Sequence, residues 1–194
     1  MEMQRFEKWV VNGPLWSGLL RVYYLPRLFR LVDTPLVGAS GLELGCGQGI
    51  TTEEILKRFP RLHLTALDYD PDQVARAQER VTHFSDRISI HQGDATALSF
   101  PDDHWDVIFA CNLFHHMREY RRALAEAARV LKPTGRLYVM DFDRRFFNPI
   151  LRKLFPPEVL FTREEFIQDV HKAGLHVERS VGGPWVFFVR ASKQ

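Results

Sequence analysis

Cysteine is scarce in this chain: Cys46 and Cys111 are the only two in 194 residues. Two cannot make the disulfide framework of a small secreted protein. They fit a reducing compartment such as the cytoplasm, where each reads as a buried thiol, with a redox pair as the second reading. Excess charge is also missing. Lys and Arg number 26 against 24 Asp and Glu, a net charge of +2, so no global field draws in a polyanion and nucleic acid is not the expected partner. A membrane-spanning run of about 20 apolar residues is absent too, because Arg21, Pro26, Arg27 and Arg30 interrupt the apolar stretch from Trp9 to Val32. That stretch lacks a small-residue cleavage site, so a signal peptide is not expected. There is no HExxH and no repeated Cys/His spacing, so no metal is expected. Neither internal repeats nor low-complexity tracts occur.

With 45% hydrophobic and 26% charged residues, the composition is that of a globular domain. The length suits one domain. Trp9 to Val32 reads as an amphipathic helix with Pro14 near its first turn. It would cap the core, cover a substrate or touch a membrane surface. From residue 40 strands alternate with helices. Strands are expected at 41–44, 62–67, 88–91, 105–111 and 136–140, with a helix over 50–59. Asp70-Pro71-Asp72-Gln73 is a helix start, with an acidic N-cap and proline at the first helical position. Val74, Ala77 and Val81 give that helix its apolar stripe. A further helix, carried by Tyr120, Leu124, Ala127 and Leu131, stops at Lys132-Pro133. Thr162-Arg163-Glu164-Glu165 is a capping box, and its helix ends at Gly174. Two β-rich runs, 175–181 and 185–190, flank Gly182-Gly183-Pro184 and read as an antiparallel hairpin. Alternating strands and helices imply an α/β fold, a parallel sheet covered on both faces. Ligands in such sheets bind beyond the carboxyl ends of the strands.

The chemistry-bearing residues fall at those ends. The first strand runs into Glu43-Leu44-Gly45-Cys46-Gly47-Gln48-Gly49. Alternate glycines permit a tight turn and a close backbone approach to a ligand, and the following helix offers unsatisfied N–H groups. The dinucleotide fingerprint G-x-G-x-x-G would need glycine at position 50. Ile50 stands there, which argues against a nicotinamide-dependent oxidoreductase. Asp68 ends the second strand, 19 residues after Gly49. With Asp70 left to cap the next helix, Asp68 is placed to accept the hydroxyls of a ribose. Gly93-Asp94-Ala95 follows the third strand and offers an acceptor for an exocyclic amine such as that of adenine.

Taken in order with Leu67-Asp68-Tyr69-Asp70, Phe100-Pro101-Asp102-Asp103-His104-Trp105-Asp106 and Arg129-Val130-Leu131-Lys132-Pro133-Thr134-Gly135-Arg136, these motifs resemble those of class I S-adenosylmethionine-dependent methyltransferases of the small-molecule type. The resemblance covers about residues 38 to 190. Thr134 departs from it, since the family commonly has a second glycine there. The resemblance implies a Rossmann-like, doubly wound, seven-stranded sheet, mostly parallel, with an antiparallel last strand and helices on both faces. It implies a methyltransferase domain over 38–194, preceded by an N-terminal cap region over 1–37 and carrying a lid insertion at about 142–161. It also implies S-adenosyl-L-methionine as cofactor and S-adenosyl-L-homocysteine as product. In that arrangement Gly45, Cys46, Gly47 and Gly49 form the cofactor loop, the glycines lining the methionine moiety. Glu43 organises the loop and the cofactor's amino group. Asp68 holds the ribose, Tyr69 packs on the adenine, and Asp94 and Ala95 meet the adenine edge. Asn112 faces the cofactor near its sulfonium.

An activated methyl leaves by in-line displacement, so a base is needed only where the acceptor carries a departing proton. His115 and His116 are the candidates, with packing contacts as their alternative role; Asp141 ends the fifth strand nearby. The acceptor site is expected outside the shared core, in residues 1–29 and 142–166, which hold 12 of the 24 aromatics in 54 of 194 residues. Residues 144–155 carry a net +4 among large apolar side chains. That mixture suits a lipophilic or aromatic small acceptor, a peripheral membrane contact, or a lid whose arginines stay in water. The competing readings are a cofactor-binding protein without transfer activity and a methyltransferase acting on a macromolecule. Asn112-Leu113-Phe114-His115 lacks the [DN]PPY pattern of an amino-methylating DNA enzyme.

Overall fold

The computed structural model describes residues 13–146, 159–183 and 185–193. Seven strands form one sheet: β1 (Ser40–Leu44), β2 (His63–Asp68), β3 (Ile88–Gln92), β4 (Trp105–Cys111), β5 (Leu131–Phe142), β6 (Leu175–Gly182) and β7 (Val186–Lys193). Their order is β3-β2-β1-β4-β5-β7-β6. β1, β2 and β3 pair in parallel, as do β4 and β5, whereas β7 runs antiparallel to both β5 and β6. This is the Rossmann-like sheet with an antiparallel last strand. The chain divides into two compact units between Ala95 and Thr96.

In the first unit α1 (Pro14–Leu19) and α2 (Leu25–Phe29) are joined by a π-helical turn, Leu20–Tyr24. The expected single amphipathic helix is therefore one continuous rod with a widened middle turn; its first residues, from Trp9 through Asn12, lie outside the described residues. Pro14 is at the first helical position, where its missing N–H costs nothing. The rod buries Leu20, Tyr24, Leu25, Leu28 and Phe29 and exposes Leu15, Leu19 and Val22. α3 (Ile50–Arg58) follows the glycine loop directly. α4 (Pro71–Arg80) is capped by the Asp70 carboxylate, which accepts from the Asp72 N–H at 3.0 Å. Its stripe Val74, Ala77 and Val81 is buried.

In the second unit β4 is buried almost throughout, as its unbroken apolar run requires for a strand covered on both faces. α5 (Tyr120–Val130) ends one residue before β5 starts. The sequence places the start of this strand at Arg136, five residues late. The structure shows the reason: Trp105 pairs with Leu131 and Val107 with Arg136, so Lys132 to Gly135 bulge out of the ladder where Pro133 has no N–H to give. α6 (Arg163–Lys172) opens on the capping box, with Thr162 and Glu165 bonding each other's backbone. Its Asp169 is buried, and accepts from the Tyr120 hydroxyl at 2.6 Å, from Arg121 at 2.8 Å and from Lys172 at 2.9 Å, which ties α6 to α5. Residues 147–158, most of the expected lid and of its basic–aromatic run, lie outside the described residues.

Candidate functional site

The first cluster sits at the carboxyl ends of β1 and β2. Gly45, Gly47 and Gly49 all take positive φ, at 71°, 52° and 80°, a region closed to most side chains. They are not equivalent. A Cβ on Gly47 would meet nothing within 4 Å, so this turn of backbone is open to a ligand. A Cβ on Gly49 would lie 2.9 Å from Ala77 Cα, so its hydrogen lets α3 and α4 close on each other. The loop is tied to β2 by the Cys46 N–H, which donates to the Leu67 carbonyl at 2.9 Å, and by the Gly47 N–H, which donates to Asp68 Oδ2 at 2.7 Å. Asp68 Oδ1 accepts from the Asp70 N–H at 3.0 Å. A carboxylate oxygen has two lone pairs, so each of these retains capacity for a hydroxyl. Burial pushes the Asp68 carboxyl above its usual value, against the pull of those amides.

Glu43, fully buried on β1, accepts from the Thr52 hydroxyl at 2.6 Å through Oε2, while Oε1 has no partner. Burial pushes its carboxyl up to about 8, with the nearby Asp68 charge adding to the effect. An orphaned carboxylate oxygen in such a place is costly unless a donor arrives, and a cationic amino group is such a donor. Burial likewise pushes the Cys46 thiol far up, so it is inert rather than nucleophilic. Tyr69 leaves half its surface exposed beyond the tip of β2, and its carbonyl accepts from Gln92 Nε2 at 3.1 Å. Gly93 N–H donates to the Asp68 carbonyl at 2.9 Å, which brings the turn carrying Asp94 and Ala95 to the same edge. Asp94 is exposed.

The second cluster belongs to β4 and β5. Asn112 takes φ 53°, its N–H donates to the Met140 carbonyl at 2.7 Å, and its buried Oδ1 has no partner. The 3₁₀ turn Phe114–His116 is pinned by fully buried Asp141. One oxygen of Asp141 accepts from the Phe114 N–H at 2.9 Å, and the other lies 2.6 Å from His115 Nδ1 and accepts from the Phe142 N–H at 2.7 Å. Where this carboxylate is ionised it accepts only, and Nδ1 is then the donor of the bond. The His116 ring lies 3.9 Å from that of His115, and desolvation, then this neighbour, holds its pKa well below the usual imidazole value. Among the described residues, no group of three His, Cys, Asp or Glu is arranged to hold a metal ion.

Sequence reasoning missed Thr52, Arg80 and the tie between His115 and Asp141. Thr52 had a signal, since it lies on the first turn after the loop. The others are brought to their partners only by the fold.

A sheet of this order, with a glycine turn tied to an acid at the neighbouring strand tip, is similar to that of class I S-adenosylmethionine-dependent methyltransferase domains. Residues 42–135 match the family described as a methyltransferase domain. It is 32% identical over 148 residues to a ubiquinone/menaquinone biosynthesis C-methyltransferase of Roseobacter denitrificans, covering 75% of this chain and 58% of that one. It is 34% identical over 132 residues to a 2-methyl-6-phytyl-1,4-hydroquinone methyltransferase of a Synechocystis species, covering 63% of this chain and 41% of that one. The matched stretch is thus less than two thirds of either relative's length. The structure of a SAM-dependent methyltransferase from Aquifex aeolicus superposes with a TM-score of 0.79 at 22% identity, covering 98% of both chains; that likeness is one of fold.

Proposed function

We propose that the chain transfers the methyl group of S-adenosylmethionine to a small lipophilic or aromatic acceptor. The observation that carries this is the pairing of the open Gly47 turn, bonded to Asp68, with the orphaned, fully buried Oε1 of Glu43. A ribose diol suits Asp68, an ammonium suits Glu43, and an adenine face suits Tyr69, with Asp94 and Ala95 at its edge. The glycine loop, with Cys46 in it, holds the methionine part. Asn112 keeps the role the resemblance gives it, near the sulfonium, where its unpartnered amide oxygen is an acceptor for polarised methyl hydrogens. When bound, the cofactor supplies an activated methyl, and the chain's work is orientation and exclusion of water.

Relatives named for quinone and hydroquinone methylation support an acceptor of that kind. For a hydroxyl-bearing acceptor, His115 is the group we assign to take the proton, with Asp141 fixing its tautomer; His116 is the second candidate. In this reading residues 1–37 cap the domain, 38–194 carry it, and the insertion at about 142–161 serves the acceptor. Residues 13–32 hold three arginines and no acid, and Leu15, Leu19 and Val22 are exposed along the rod. We assign that face to peripheral contact with a membrane holding the acceptor. Among the described residues no helix is long and apolar enough to cross one.

Calorimetry with S-adenosylhomocysteine tests the cofactor. Asp68→Ala is expected to weaken binding more than tenfold, and unchanged affinity would refute the ribose assignment. Transfer of labelled methyl into a panel of hydroquinones and phenols tests the reaction. Tight cofactor binding with no transfer to any extract component would favour a binding protein instead. Flotation with anionic liposomes tests the membrane contact, which Leu15→Glu with Val22→Glu should abolish.

A further inference from the structure

The glycine loop is held from its outer side by residues that belong to no family motif. Arg80, at the end of α4, donates through Nε to the Gln48 carbonyl at 2.8 Å and through a terminal nitrogen to Gln48 Oε1 at 3.3 Å. It can reach them because Gly49 has no side chain. α4 presses onto the loop end of α3 at Ala77, and Arg80 is three residues further along the same face. The other terminal nitrogen of Arg80 is 3.7 Å from Glu53 Oε2. Arg21, on the π turn of the N-terminal rod, donates to the same Glu53 oxygen at 2.6 Å and to Glu54 with its second terminal nitrogen. Lys57 takes Glu53 Oε1 at 2.6 Å. Only 13% of the Glu53 side chain is exposed. This near-burial raises its carboxyl, but the Lys57 and Arg21 bonds outweigh it and hold the pKa below the usual value, so the carboxylate stays charged.

One carboxylate therefore answers two arginines, one from the rod and one that grips the loop. If Arg21 leaves, Glu53 is left to Arg80 and Lys57 and draws Arg80 towards itself, since a largely buried charge left short of partners is costly. Arg80 then loses its aim at Gln48. Two loop amides report the result, because both are held by the loop's present shape: Gly47 N–H on Asp68 and Gly49 N–H on the Cys46 carbonyl, each within 2.9 Å. We infer that Arg21, Glu53 and Arg80 are a positioning relay through which seating of the N-terminal rod sets the shape of the glycine loop. None of the three is a catalytic residue. The consequence for cofactor affinity rests on the reading given above, whereas the consequence for the loop does not.

The test uses the full chain and two variants, Arg21→Gln and Arg80→Met, with two readouts. The first is amide exchange by NMR in the ligand-free protein, referenced to the buried β2 amide of Ala66. Arg21→Gln should speed exchange at Gly47 and Gly49 at least threefold relative to that reference, and Arg80→Met about tenfold. The double variant should match Arg80→Met alone. The second is calorimetric affinity for S-adenosylhomocysteine, which should weaken in the same order, by about threefold and tenfold. If Arg21→Gln loosens only residues 14–29 and leaves Gly47 and Gly49 at wild-type rates, the relay is wrong. It is equally wrong if the two single effects multiply in the double variant. If the wild-type chain does not bind S-adenosylhomocysteine, the cofactor reading fails, while the exchange readout still decides the relay.

Discussion

Asp68 is the last residue of β2 and Asp141 the last but one of β5, yet their carboxylates are put to different uses. Asp68 collects backbone amides, those of Gly47 and Asp70 among them, and keeps part of its surface accessible. Asp141 is fully buried and collects two amides and an imidazole. The first carboxylate shapes a turn and keeps acceptor capacity for something outside the chain. The second, fully buried, directs its bonds to the chain itself, and its product is the orientation of His115. In the proposed reading, exposure and the identity of the donors separate the carboxylate assigned to bind from the one assigned to orient; residue type and position in the strand do not.

The sharpest way to break this contrast is to disturb the scaffold under the binding carboxylate alone. Gly49→Ala would combine a left-handed φ with a 2.9 Å clash against Ala77, a loss of about 3 kcal/mol in unfolding free energy. Gly47→Ala, with open space around its Cβ, should destabilise by about 1 kcal/mol through its positive φ alone; denaturant melts compare them. Next in size, Asp141→Asn should cut turnover of a hydroxyl acceptor by about a hundredfold and leave S-adenosylhomocysteine affinity within twofold. Equal losses in both would erase the distinction between orienting and binding roles. Tyr69→Ala should weaken cofactor binding by about fivefold, in line with a stack worth about 1 kcal/mol, and isothermal titration reads it.

The last test is a slope with pH. Burial raises the Glu43 carboxyl from 4.5 to about 8, so between those values the folded chain holds a proton that the unfolded chain has released. Stability of the ligand-free chain therefore falls as pH rises through that window. Melting temperatures from pH 5 to 8.5 should show this decline, flatten in Glu43→Gln, and flatten in wild type with S-adenosylhomocysteine, whose ammonium stabilises the carboxylate. A decline that persists unchanged in Glu43→Gln would remove Glu43 as its source.

Much of this fold was legible because its signals are local. The Asp70 cap, the Thr162–Glu165 box, the apolar run of β4 and the glycines with positive φ each declare themselves within a few residues. The start of β5 did not, since Pro133 marks both a helix stop and a bulge, and the sequence does not say that Leu131 pairs again before the bulge. The widened turn at Leu20–Tyr24 leaves no mark either, because a shifted backbone hydrogen bond requires no particular side chain. At the site, Glu43, Asp68 and the loop stand in one readable motif series. The His115–Asp141 bond joins residues 26 apart and the Arg80–Gln48 bond residues 32 apart, and only the completed packing puts such partners together.

That widened turn also fixes how the rod can change. A π turn holds a surplus residue, and an α-helix advances about 100° per residue. Deleting a single amino acid between Leu20 and Tyr24 would let ordinary winding resume with almost no rotation, because the wider turn is what absorbs the surplus residue. Leu15 and Leu19 would keep their facing, and the change would fall inside the turn, on Arg21 and its two glutamates. A residue lost at this point is accordingly a local repair of the winding rather than a turn of the whole rod.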